Sequence, residues 1–70
     1  MIDHASQIGA IVRARRLKLG LRQQELAELA GCSTRFVHTV EAGKATLRLN
    51  KLVDVLDVLG LELTVTGRAK

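Results

Sequence analysis

The sequence predicts a small all-helical bundle that ends in one β-strand. Apolar residues recur at helical spacing in four runs, and a glycine follows each run. Proline is absent and the only aromatic residue is Phe36, a composition that suits short helices packed by aliphatic side chains. After the last run the apolar spacing changes from 3.6 to 2. At 70 residues we expect one domain, 1–70. The predicted helices run from about 6 to 19, 23 to 30, 34 to 41 and 49 to 59, and the strand from about 61 to 66.

The first predicted helix carries an apolar face made by Ile8, Ile11 and Val12. Ser6 precedes this face and can accept a backbone N–H as an N-cap. Gly20 follows the last helical residue and ends the helix. We therefore expect a helix of about four turns at the start of the chain.

Residues 23–40, QQELAELAGCSTRFVHTV, carry the most informative pattern in the chain. Ala27 stands where a larger side chain would push two crossing helices apart, and Gly31 where the first of them must end with φ > 0. Val37 and Val40 point inward from the second helix. This spacing predicts a helix-turn-helix, although a glycine between two amphipathic runs also occurs in other helical proteins.

The fourth predicted helix closes at Gly60, and the segment LELTVT follows it. Alternation in this segment places Leu61, Leu63 and Val65 on one face. A lone strand leaves its backbone N–H and C=O groups without partners. We therefore expect the same strand of a second copy to pair with it, which would make these three residues the dimer interface.

The chain is basic, with a formal net charge of +4. An excess of positive charge suits a polyanionic partner, although basic side chains can also simply solvate the outer face of a helix. The lone Cys32 excludes an internal disulfide and favours a reducing compartment, with the thiol as a buried structural group. Since neither an apolar run of about 20 residues nor a signal peptide is evident, we expect a cytoplasmic protein without membrane contact. Five of the eleven basic residues cluster at Arg13, Arg15, Arg16, Lys18 and Arg22.

With these residues in place, the segment 8–60 resembles the lambda repressor and Cro-like (XRE) helix-turn-helix family. The ending LGLELTV is similar to the tail of HipB-type antitoxins. The resemblance implies a lambda-repressor-like bundle of four short helices and a homodimeric transcriptional repressor on a palindromic operator in double-stranded DNA. It also implies a HipA-type kinase toxin as a partner of the antitoxin.

Carried over residue by residue, the resemblance implies a DNA-binding set that begins at the second helix and continues through the third. If Val37 and Val40 face the core, the polar residues beside them cannot all be buried. Arg35 is the best candidate for a base contact, because bidentate Arg on guanine is the commonest specific pairing; a phosphate contact or a solvated side chain is the alternative. The implied set consists of Gln23, Ser33, Lys44 on the DNA backbone and Thr34, Arg35, His38, Thr39 on the groove-facing side.

The resemblance further implies a partly buried ion pair between Arg16 and Glu41 that ties the first helix to the third. Two residues depart from the family pattern. Arg22 stands where Thr or Ser usually caps the second helix, which removes a capping acceptor. Phe36 occupies a position that is often small and polar, where it either packs against the protein or touches a thymine methyl group.

Two classes of function fit this sequence: a DNA-binding repressor, and a protein-interaction module that holds a toxin inactive. An enzyme is a distant third, because His4 and His38 lie far apart and no Gly-rich phosphate loop or metal-ligand cluster is present. We accordingly expect no catalytic residue, no metal and no cofactor.

Overall fold

The computed structural model of the protein describes residues 3–44 and 46–67. The ends of the predicted domain, 1–70, therefore lie outside the described residues. None of the helices in the described ranges is long and apolar enough to cross a bilayer. The helices in these ranges are α1 (His4–Lys18), α2 (Gln23–Ala30), α3 (Thr34–Glu41) and α4 (Leu49–Val58).

The N-terminus of α1 corrects one sequence prediction. The helix begins at His4 with Asp3 as its N-cap, so Ser6 lies inside the first turn. The Asp3 carboxylate accepts the Ser6 backbone N–H at 3.3 Å and the Ser6 hydroxyl at 2.8 Å, and these hydrogen bonds, the hydroxyl's first, lower the pKa of Asp3. Asp caps helices at least as well as Ser and adds a negative charge at the positive end of the helix dipole. Asp3, and not Ser6, is therefore the N-cap of α1.

The core forms where α3 packs against α1 and α2, and where α4 packs against α2. The backbones of α1 and α3 meet at Gly9, where an added Cβ would overlap the carbonyl oxygen of Val40 and lie 3.0 Å from that of Glu41. Glycine is therefore required for this close approach. The buried apolar side chains are Val12, Leu26, Ala27, Val37, Val40, Leu52, Val55, Leu56 and Leu59.

The end of α4 is tied to α1 by Arg15, whose Nε donates a hydrogen bond of 2.9 Å to the Leu59 carbonyl oxygen. This bond satisfies one of the carbonyl groups that every helix leaves unpaired at its C-terminus. A side chain of α1 therefore contacts the backbone at the end of α4.

The predicted strand over 61–66 is wrong, since the described residues contain no strand. A strand needs a neighbouring strand to accept its backbone hydrogen bonds, and the described residues offer none. Leu61 and Leu63 instead line an apolar cleft of about 100 Å³, while Val65 is 96% exposed. The predicted fold class is corrected to a helical bundle with an irregular C-terminal segment. The other residues that line the cleft are Ile8, Ile11, Leu56 and Glu62.

Candidate nucleic-acid interface

The turn between α2 and α3 is built on Gly31, which has φ 72° and ψ 33°. The Gly31 N–H donates to the Glu28 carbonyl oxygen at 3.3 Å, and the Cys32 N–H donates to that of Ala27 at 3.0 Å. A left-handed residue at this place ends the helix and turns the chain, and the two N–H groups bond carbonyl oxygens in the last turn of α2. Ala27 is buried, and α2 and α3 pack against each other.

The start of α2 lacks a side-chain cap. Arg22 occupies the N-cap position, and its guanidinium has no acceptor to offer to the free N–H groups of the helix. Glu25, three residues further on, accepts the Arg22 backbone N–H at 2.8 Å. The chain therefore keeps the reverse half of a capping box and places a carboxylate in the first turn, which suits the helix dipole.

The start of α3 is capped by Ser33, whose hydroxyl oxygen accepts the Phe36 backbone N–H at 3.1 Å. Val37 and Val40 are fully buried and hold the inner face of α3 against the core. Phe36 is half-buried and packs against the same core. Of the two roles considered for this aromatic ring, the structure favours packing.

The outer face of α3 carries polar side chains. Thr34, Arg35 and His38 are exposed, whereas Thr39 is half-buried. The Thr39 hydroxyl donates to the Arg35 carbonyl oxygen at 2.8 Å, so its proton is engaged within the helix and its oxygen can act only as an acceptor for another group. Lys44, just beyond α3, is exposed as well.

Arg16 and Glu41 form a bidentate ion pair between α1 and the end of α3. Arg16 Nε lies 2.6 Å from Glu41 Oε2, Arg16 Nη2 lies 2.9 Å from Oε1, and the two side chains are 9% and 5% exposed. Arg16 Nη1 also donates to the Leu21 carbonyl oxygen at 2.9 Å. The structure thus brings together the two residues that the sequence analysis paired, and it extends the pair to the loop before α2.

Gln23, the first residue of α2, joins this network. Its side-chain Nε2 donates to Glu41 Oε1 at 3.2 Å. Sequence reasoning missed this contact, because the two residues are 18 positions apart on different helices and no local pattern links them. Three helices therefore meet at one carboxylate.

The ionisation of Glu41 reflects these contacts. Burial alone would raise the pKa of its carboxyl group. The hydrogen bonds from Arg16 and Gln23, together with the charges of Arg16 and Arg13, outweigh burial and lower the pKa. The hydrogen bond to Glu41 likewise raises the pKa of the Arg16 guanidinium. The pair therefore stays charged at neutral pH.

A polar cleft of about 310 Å³ opens above this network. Two members of the predicted DNA-binding set, Gln23 and His38, line this cleft, whereas Thr34 and Arg35 do not. Within the described ranges, no three His, Cys, Asp or Glu side chains are grouped so that they could hold a metal ion. The residues that line the cleft are Arg13, Arg16, Gln23, His38, Glu41 and Ala42.

A family model described as helix-turn-helix domain matches residues 7–68, which include almost all of α1 and the whole of α2 to α4. This chain belongs to the helix-turn-helix domain family. It is 43% identical over 64 residues to a protein of Sinorhizobium fredii (strain NBRC 101917 / NGR234). That relative is named uncharacterized HTH-type transcriptional regulator y4mF, and the match covers 91% of this chain and 84% of the relative.

In this helix-turn-helix protein, α2 and α3 are the two helices of the motif and Cys32 lies in the turn between them. The thiol is half-buried and packs against the core, and burial raises its pKa. Cys32 therefore packs as a small residue in the turn of the motif.

Proposed function

We propose that this helix-turn-helix protein is a sequence-specific DNA-binding transcriptional regulator of the lambda repressor and Cro-like (XRE) type, with α3 in the major groove. The observation that carries the proposal is the division of α3 into two faces. Val37 and Val40 anchor one face in the core, while Thr34, Arg35 and His38 project from the other. The net charge of +4 and the name of the relative support a DNA partner.

Within this proposal the polar residues divide into two roles. Arg35 makes the principal base contact, because an exposed guanidinium can bind guanine O6 and N7 in a bidentate manner. Ser33 uses its oxygen as the cap of α3, which leaves its hydroxyl proton free for a phosphate oxygen. The remaining base-edge candidates are Thr34, His38 and Thr39, and the remaining backbone contacts are Gln23 and Lys44.

We also propose that the protein acts as a homodimeric repressor on a roughly palindromic operator. Support comes from the apolar cleft beside α1, where Ile11 is 51% exposed and Leu63 is 43% exposed. A second copy would cover these side chains together with Leu61 and Val65 through side-chain packing. The two α3 helices would then meet half-sites about 34–36 Å apart, or one turn of DNA.

Selection of bound duplexes from a random DNA library at near-physiological salt tests the DNA-binding proposal. We expect the wild type to recover an inverted repeat, and Arg35→Ala to lose a guanine preference in each half-site. Lys18→Ala is the matched control, because it removes one positive charge from an exposed position outside the proposed interface. Recovery of no motif by the wild type would overturn sequence-specific binding.

Sedimentation analysis tests the dimer. We expect Leu63→Asp to shift the protein toward the monomer, because the charge would have to be buried in the interface. Leu29→Asp is the control, since Leu29 is 64% exposed and does not line the apolar cleft. A wild type that sediments as a monomer at all tested concentrations would contradict the dimer.

The second candidate function is an antitoxin that holds a HipA-type kinase toxin inactive. It is supported by the LGLELTV ending and by the exposed apolar side chains of Leu29 and Leu49, which leave surface for a partner besides DNA and a second copy. Co-expression with a kinase-like protein from a neighbouring gene tests it. Co-purification with loss of kinase activity would support the role, and separate elution would contradict it.

A further inference from the structure

We propose that Glu41 is a positioning residue for DNA binding, which acts by fixing the orientation of the Gln23 side-chain amide. The inference rests on the proposed function, in which Gln23 meets a phosphate. The contact that carries it is the hydrogen bond of 3.2 Å from Gln23 Nε2 to Glu41 Oε1. Glu41 itself is almost completely buried, so it does not reach the DNA.

The chemistry of the two groups sets the orientation. An ionised carboxylate only accepts hydrogen bonds, so Gln23 must turn its NH2 group, and not its carbonyl oxygen, toward Glu41. One N–H is then engaged and the second N–H of the same nitrogen is left for another acceptor. A free glutamine amide could present its oxygen to a phosphate, which would repel it. The Glu41 carboxylate excludes this orientation of the Gln23 amide in the free protein. Less conformational entropy of the Gln23 side chain is then lost when DNA binds.

A carboxylate in a DNA-facing cleft also needs its charge neutralised. Arg16 meets both oxygens of Glu41, and Arg13 lines the same cleft. The three side chains together carry one net positive charge. Glu41 can therefore serve as an obligate acceptor without making the cleft repel a phosphate.

A double-mutant cycle on operator affinity tests the coupling. Oε1 of Glu41 accepts from both Arg16 and Gln23. Glu41→Gln can present either an oxygen or an NH2 group at this position, so the Gln23 amide is no longer forced into one orientation. Its effect on Kd is measured in the wild-type background and in the Gln23→Ala background. The loss of negative charge near DNA acts equally in both backgrounds and cancels in the cycle. We expect the ratio of the Glu41→Gln Kd to its parent Kd to be about fivefold larger when Gln23 is present than when it is Ala, the size expected for one hydrogen bond.

Glu28→Gln is the matched control, because it makes the same chemical change on an exposed position outside the cleft and should show no coupling to Gln23. A coupling ratio of one, with tight operator binding by the wild type, would overturn the positioning role and leave the proposed function intact. Failure of the wild type to bind any DNA would overturn both.

Nuclear magnetic resonance of the wild type, without DNA, keeps the inference testable if Glu41→Gln does not fold. We expect the Gln23 side-chain amide to be as ordered as the backbone and to exchange slowly, whereas the exposed Gln24 amide should be mobile. A Gln23 amide as mobile as that of Gln24 would overturn the positioning role.

Discussion

At the scale of single residues, Glu41 has an unusual concentration of contacts for one side chain in so small a protein. It accepts hydrogen bonds from Arg16 of α1 and Gln23 of α2 while it belongs to α3. Arg16 and Glu41 are the buried ion pair. If either residue is removed, the other keeps a buried charge whose desolvation cost is no longer compensated. The pair therefore supports the fold and the cleft at once.

Arg16→Ala should accordingly be strongly destabilising. We expect a loss of about 3–5 kcal/mol in the free energy of unfolding, because Glu41 would keep its buried charge without its partner. Urea or thermal unfolding measures the loss, and Lys18→Ala is the control, since Lys18 is exposed on the same helix and does not line the polar cleft. Equal stability of Arg16→Ala and the wild type would show that the pair contributes nothing.

The lowered pKa of Glu41 makes stability depend on acid. A carboxyl group whose pKa is lower in the folded state stabilises the protein above its ordinary value of 4.5, and this contribution is lost as pH falls through the folded pKa. We expect the urea midpoint to fall as the pH is lowered below about 4.5. The fall should be smaller in Glu41→Gln than in Glu28→Gln, which makes the same chemical change at an exposed position and keeps the Glu41 carboxylate. Identical pH profiles for the wild type and Glu41→Gln would contradict this account.

At the scale of elements, the helix-turn-helix depends on how α2 ends. The motif requires a left-handed residue at Gly31 and a small residue at Ala27, which is buried. Both requirements are local, which is why the sequence alone predicted this part of the molecule. The side of α3 that we propose to face DNA is set by the same turn, so the proposed function depends on the geometry of the turn.

Gly31→Ala should test the turn. An L-residue in the left-handed region costs roughly 1–2 kcal/mol, and nothing lies within 4 Å of the added Cβ, so the cost should be conformational only. Thermal unfolding measures it. Gly67→Ala is the control, because Gly67 does not have a positive φ and should tolerate the change. An unchanged melting temperature for Gly31→Ala would contradict the requirement for glycine.

The limits of sequence prediction lie in contacts between distant segments. Apolar periodicity and the glycines located the helices, because both act within a few residues. The alternation of LELTVT indicated a strand, but alternation describes only side-chain directions and cannot supply a neighbouring strand. The bond from Arg15 to the Leu59 carbonyl oxygen and the bond from Gln23 to Glu41 were missed for the same reason. Each joins residues that no local pattern connects.

At the scale of the whole molecule, a net charge of +4 on 70 residues makes long-range attraction to DNA a large part of the proposed binding. Contacts to phosphates and contacts to bases should then respond differently to salt. The two kinds of contact lie on different residues in the proposed interface, so they can be separated by substitution.

Binding to the selected operator should weaken steeply as salt increases. We expect Lys44→Ala to lower the slope of log K against log salt by about one per subunit and to weaken binding equally on all sequences. Thr34→Ala, which removes no charge, should leave the slope unchanged. Fluorescence anisotropy over a salt series measures both. An unchanged slope for Lys44→Ala would remove this residue from the phosphate contacts.

The approach of α1 to α3 at Gly9 has a consequence for mutational surveys of this protein. A side chain at this position would strike the backbone of α3, which cannot move aside as a flexible side chain can. In a complete scan of single substitutions, position 9 should therefore tolerate no replacement, although it lies outside the proposed DNA-binding set. Loss of function at position 9 would reflect a folding defect and not a lost DNA contact. A map of sensitive positions should therefore be compared with a folding assay before it is used to outline the DNA-binding surface.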